Sequence, residues 1–327
     1  MSQHSWETLS NQAVAAAGIV YFLALLATLV EWSSLLGRRK APAESQAGAE
    51  SEGSVLIATG PSQDRDDERE RRTALWERLG YLLAVIGAAC HVVAVVSRGF
   101  AADRVPWGNM YEFTLTGTCI VAVAYVLLYP RLKLAWMAPL AIAFVLVFLM
   151  VDVLVLYVPA YDPLSEALHS YWLVIHVIAA ATATGAFTLG GMTSVMYLVK
   201  SRRPDTTTGW LSRVPSLTTL DRVAYRIIGF GFPVWTFAVL IAGPIWAHQA
   251  WGSYWNWDPK EVWAFITWVV YAGYLHARAT AGWRGRNAAI LALVGVATLW
   301  FNFVGINYFS TNSQHSYADA PVVSTLR

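Results

Sequence analysis

Residues 251–263 read WGSYWNWDPKEVW, and they join two apolar runs, 226–247 and 261–278, each long enough to cross a bilayer as a helix. The connection holds Trp251, Gly252, Tyr254, Trp255, Trp257 and Trp263 beside Asp258, Pro259, Lys260 and Glu261. Rings with one polar edge favour a membrane–water boundary, where the ring meets lipid and the N–H or O–H stays wet. A boundary belt scatters single aromatics over many helix ends, whereas here they are concentrated in one connection. That concentration favours a flat aromatic ligand platform over a plain anchor.

The same pattern extends over the whole chain. Of 327 residues, 56% are hydrophobic and only 13% are charged, where a soluble domain carries roughly a quarter charged residues. Eight apolar runs stand out, at 12–36, 79–97, 111–129, 135–156, 170–199, 226–247, 261–278 and 287–309. None shows the alternation of a barrel strand, and only helices or closed barrels satisfy their backbone in lipid. The expected fold is therefore all-α, a polytopic membrane bundle of about eight transmembrane helices. The first run lacks the basic flank and small-residue cleavage site of a signal peptide and is expected to remain as a helix.

Lys and Arg set the expected orientation. With the N-terminus outside, 19 of the 23 basic residues fall in the inner loops, leaving Arg98, Arg104, Lys260 and Arg327 on the outer side. Both termini and the tryptophan loop are then on the outer side. The organisation reads as an N-terminal transmembrane helix over 1–36, a largely disordered cytoplasmic linker over 37–78, and a membrane domain over 79–327 whose outer tryptophan-rich loop covers 248–263. The linker follows from its Ala, Ser, Gly, Glu, Asp and Arg content, which supplies no core. The outer segment SRGFAADRVPWGNM, residues 97–110, breaks at Gly and Pro and leads into Tyr111 and Glu112. Cys90 and Cys119 lie singly inside apolar runs and read as small buried hydrophobes, not a redox pair.

Histidines inside or beside spans are the next signal, because ionisable groups in a membrane are costly and mark sites. His176 lies about two turns below the outer end of the fifth run, and His315 a few residues beyond the last. Imidazole is a common axial ligand of haem iron, and two can close the octahedron from opposite faces. His176 and His315 share the level of the tryptophan loop, so a flat macrocycle with a central metal would use all three. His276 lies near the inner end of the seventh run, and His91 within the second. Each is a candidate ligand, with a plain interhelical hydrogen bond as the alternative.

These stretches resemble a known family. WGSYWNWDPKEVWAFITW is similar to the WWD signature of haem-handling membrane proteins, in the form found in the CcsA/ResC branch of cytochrome c biogenesis. YWLVIHV, YLHAR, GINYFSTNSQHSYA and VPWGNMYEF resemble other segments of that branch, so the likeness covers residues 80 to 318. It implies a component of a cytochrome c synthase that binds haem b and presents it at the outer surface of a bacterial cell membrane. There the vinyl groups form thioethers with the CxxCH cysteines of an apocytochrome c. It implies a second membrane subunit of the ResB/Ccs1 type, and no nucleic acid. By matching positions, His176 and His315 would be the outer iron ligands and catalytic pair, and His276 an inner ligand. Trp251, Trp255 and Trp257 would form the platform, with Gly252, Tyr254, Asp258, Pro259 and Trp263 in the same signature. His91 falls in no mapped motif. Asp258 and Glu261 also fit as caps of the seventh helix, and Lys260 could pair with a haem propionate. A haem carrier without ligation activity and a haem b electron-transfer subunit stay open.

Overall fold

The computed structural model describes residues 1–35, 61–160, 170–203 and 209–309; the expected ligand His315 and the boundary residue His169 lie outside them. Among the described residues the chain is helical, with no strand. The helices are α1 (Gln3–Leu35), α2 (Pro61–Ala102), α3 (Met110–Leu132), α4 (Ala138–Val151), α5 (Tyr171–Ser201), α6 (Leu217–Phe237), α7 (Gly243–Trp251), α8 (Pro259–Thr280), α9 (Arg286–Trp300) and the short α10 (Ile306–Phe309). Each of the eight expected runs falls on a helix or a continuous pair. Among the described residues seven segments are long and apolar enough to cross a membrane, and α8, at 22 residues, falls outside that set. The protein is a multi-pass membrane protein.

Two boundaries differ from the sequence reading. Helix α2 begins at Pro61, well before the run at 79, so the second half of the expected linker is helical; residues 36–60 lie outside the described ones. Its charged first turns are invisible to an apolar count, yet pairs such as Glu68–Arg72 at 2.5 Å are a turn apart and support helix without a core. The sixth run is not one regular helix. A π-helical turn, Ala238–Ala242, separates α6 from α7, and Pro244 stands in the first turn of α7. Proline has no N–H to donate and its ring crowds the carbonyl four residues back, so a widened turn ahead of it absorbs the misfit. Further π turns, Asp152–Leu156 and Phe301–Gly305, follow α4 and α9.

One end of the bundle carries a buried charge network that joins four helix ends. Arg98 at the end of α2 donates to Glu112 of α3 at 3.0 Å and to the Val158 carbonyl at 2.7 Å, and its guanidinium is 4.0 Å from Glu7 of α1. Arg104 reaches the same Glu112 at 2.5 Å. The opposite end is tied by Arg213, in the loop before α6, which bridges Glu31 of α1 and Glu77 of α2. Arg278 of α8 grips Asp221 of α6 through two bonds, 2.7 and 2.8 Å.

Among the described residues the apolar core forms two large bodies and a smaller cluster of Trp107, Leu173, Val177 and Trp246. One body gathers α1 to α4 with parts of α5 and α6, around Tyr21, Leu115, Trp136 and Leu149. The other gathers α5, α6, α8 and α9, around Phe187, Trp235, Tyr271 and Leu299. Phe187 and Tyr271 stack with centroids 3.7 Å apart. Helices α8 and α9 meet closely because Gly295 has no side chain: a Cβ there would stand 2.6 Å from the Tyr271 ring. Gly295→Ala is expected to cost about 1–3 kcal/mol by overpacking, read as a lowered unfolding midpoint in detergent. Gly273→Ala, whose Cβ would have nothing within 4 Å, is the matched control.

Candidate functional site

A cavity of about 220 Å³ opens where the two core bodies meet, at the end of the bundle that holds the tryptophan loop. Its wall takes residues from α3, α4, α5, α6, α7, α8 and α9 together with the loop between α7 and α8. On α5 the lining runs from Leu173 to Thr184, about 16 Å of helix. The cavity therefore descends well below the loops. Aromatic rings dominate it, including Trp107, Phe148, Trp246, Trp255 and Trp300. Part of the wall is a ring cluster of Phe144 and Phe148 against Trp300, with centroids at 5.5 and 4.8 Å.

His176 is the histidine that the structure brings to this wall. Its ring lies nearly parallel to Trp246, 15° apart with centroids at 6.1 Å. Its Nδ1 donates to the Ala238 carbonyl at 2.9 Å. A carbonyl only accepts, so Nδ1 carries the proton and Nε2 carries the ring's lone pair in the neutral form, the state in which imidazole ligates a metal.

The tryptophan loop is shaped by its ends. Helix α7 stops at Gly252, which takes φ 77° and donates to His248. Helix α8 starts with Asp258 as cap, Pro259 in its first turn, and Glu261 closing a capping box; Glu261 Oε2 also accepts from the Asn256 N–H at 2.9 Å. Asp258 and Glu261 are thus the caps the sequence suggested. Between these ends the aromatics diverge. Tyr254 and Trp255 line the cavity, and Tyr254 stacks on His248 at 4.3 Å. Trp257 sits at φ 56°, a left-handed conformation rare for a bulky residue, and is 75% exposed. Trp251 packs edge-on to Trp246 at 4.7 Å and Trp263 against Phe301 at 4.3 Å, both outside the lining. Of the three rings expected to form one platform, Trp255 alone faces the cavity.

Two further histidines are not brought there. His91 is fully buried in the first core body, with Nε2 3.0 Å from the Leu115 carbonyl and Nδ1 3.4 Å from the Tyr21 hydroxyl. It is a core histidine with both ring nitrogens engaged. His276 is exposed near the far end of α8. The sequence reading missed several wall residues. Trp107 Nε1, Asn302 Oδ1 and Asn307 Oδ1 are buried polar atoms with no partner among the described residues, and all three residues line the cavity. The two asparagines carried a signal, since amides inside an apolar run are costly; Phe144 and Phe148 carried none.

Comparison with known proteins bears on this same region. The sequence model described as cytochrome C assembly protein matches residues 107–313, which include every residue of the cavity wall. The cytochrome c biogenesis protein CcsA of Synechococcus elongatus is 36% identical over 279 residues, covering 71% of this chain and 85% of that protein. The CcsA of Trieres chinensis is 33% identical over 276 residues, covering 73% and 86%. A solved structure, the cytochrome c haem lyase CcmF, superposes with a TM-score of 0.56 at 14% identity, covering 94% of this chain and 49% of that one. The likeness is one of fold, and this chain spans about half of that protein's length. By the matched segment and these identities, the chain belongs to the cytochrome c assembly protein family.

Proposed function

We propose that this protein binds haem b in the aromatic cavity, with His176 as an iron ligand, and presents it for thioether attachment to the CxxCH cysteines of an apocytochrome c. The observation that carries this reading is a single imidazole whose Nδ1 is spent on a backbone carbonyl, set in a wall of aromatic rings. The lining fits such a substrate. Apolar rings suit the macrocycle, the imidazole suits the iron, and the Trp107 Nε1–H is a donor suited to a carboxylate at its edge. The chain's residues hold, orient and shield; the reactive groups belong to the haem and to the thiols. His315 remains the proposed second ligand and His276 the proposed inner-site ligand. A ResB/Ccs1-type membrane subunit is the proposed partner. A bacterial cell membrane is the proposed location, and the bias of Lys and Arg supports an orientation in it with the tryptophan loop and both termini outside.

The geometry separates neighbouring tryptophans. Trp255→Ala is expected to weaken haem binding about tenfold or more, and Trp257→Ala less than about threefold, since stacked rings contribute on the order of 1–3 kcal/mol where they touch a ligand. Haem titration of the two purified variants checks this; equal losses would restore the picture of one shared platform. Cysteines placed at 254 and 213 test the orientation, the first reacting with an impermeant thiol reagent from outside and the second only after lysis.

A further inference from the structure

We propose that Gly243 is a positioning residue for His176, and that it works with the π turn before it to fix which ring nitrogen faces the cavity. The inference rests on the haem-ligand reading of His176 given above. Three observations meet at one point. The π turn Ala238–Ala242 bonds the Gly243 N–H to the Ala238 carbonyl, five residues back. That carbonyl also accepts from His176 Nδ1, at 2.9 Å. A Cβ on residue 243 would stand 3.1 Å from His176 Nδ1, from His176 Cε1 and from the Ala238 oxygen at once.

The missing side chain is therefore the space through which the imidazole reaches its acceptor. Contacts of 3.1 Å are tighter than nearly all real Cβ contacts, so a methyl group would have to move the ring, the carbonyl or both. Trp246, 2% exposed, lies almost parallel to the same ring with centroids 6.1 Å apart. Displacement would then be at the expense of the Nδ1 bond. Without that bond the neutral imidazole is free to take either tautomer, and the fraction with its lone pair on Nε2 falls. Partners that orient a ligating histidine typically change metal affinity 10–100-fold. Helical π turns recur at functional sites, and here the turn supplies a carbonyl that serves two donors.

The test compares the wild type with Gly243→Ala and Gly229→Ala. Gly229 lies on α6, and nothing stands within 4 Å of where its Cβ would be. Nitrogen NMR of haem-free protein labelled with ¹⁵N-histidine, the His176 signals identified by their loss in His176→Ala, reports the tautomer directly. The expected result is a protonated Nδ1 and unprotonated Nε2 in the wild type and in Gly229→Ala, and a tautomer mixture in Gly243→Ala. Titration with hemin should then show about tenfold weaker binding in Gly243→Ala, with the low-spin spectrum restored by added imidazole. One tautomer common to wild type and Gly243→Ala would overturn the proposal, as would saturable hemin binding of equal affinity in the two. The expected tautomer change between wild type and Gly243→Ala, with no hemin bound by the wild type, would reject the haem reading and leave the positioning role of Gly243 standing.

Discussion

In cells that carry His176→Ala, covalent haem attachment to an apocytochrome is expected to fall at least about 100-fold, while the variant protein accumulates in the membrane at wild-type level. The size follows from the place of His176. Partners that only orient a ligating imidazole are worth 10–100-fold, so removing the imidazole itself should reach the upper end of that range. The fold should survive, because the ring lies on a cavity wall and its substitution leaves both core bodies intact. The change leaves the Ala238 carbonyl with one donor, the Gly243 N–H, in place of two. Exogenous imidazole should restore part of the activity by entering the vacated space. Haem staining of a co-expressed cytochrome c checks the result, and attachment within about twofold of wild type would remove His176 from the ligand set.

Arg98→Leu is expected to cost about 3 kcal/mol of stability, the low end of the typical loss when one partner of a buried ion pair is removed, because Arg104 still holds Glu112 at 2.5 Å. Arg98 and Glu112 are both fully buried, and the same guanidinium lies near Glu7 and binds the Val158 carbonyl. Four helix ends meet at that one side chain, so the change should loosen the first core body as a unit. Surface pairs give no such effect; Arg72→Ala, whose partner Glu68 is largely exposed, should change stability by less than about 0.5 kcal/mol. Unfolding in graded mixtures of mild and denaturing detergent measures both. A loss below about 1 kcal/mol for Arg98→Leu would mean that the network does not hold the helix ends together.

What the sequence revealed follows from what lipid demands of it. Length and apolarity are what a membrane helix needs, so each expected run fell on a helix. The charged start of α2 escaped notice because a helix stabilised by charge pairs outside the bilayer needs no apolar run. The π turns escaped because one extra residue in a turn does not disturb an apolar pattern. At the site, His176 was legible as an ionisable group in a span, and the capping box of Asp258 and Glu261 was legible from spacing. Side-chain direction was not. Trp255 and Trp257 are two residues apart in the same motif, yet the left-handed backbone at Trp257 sends its ring outward while Trp255 turns to the cavity. His91 looked like His176 by the same rule of cost, but its partners come from α1 and α3, which no local pattern could show. The cavity itself is made by Phe144, Phe148 and Trp300 from helices distant in sequence, each an ordinary apolar residue in its own run.

The absorption spectrum of the detergent-purified protein titrated with hemin, wild type beside His176→Ala, tests the central claim most directly. The account predicts a saturable b-type spectrum in the wild type, its low-spin features lost in His176→Ala and regained on adding imidazole. Identical spectra for the two proteins, or no saturable binding by the wild type, would contradict it.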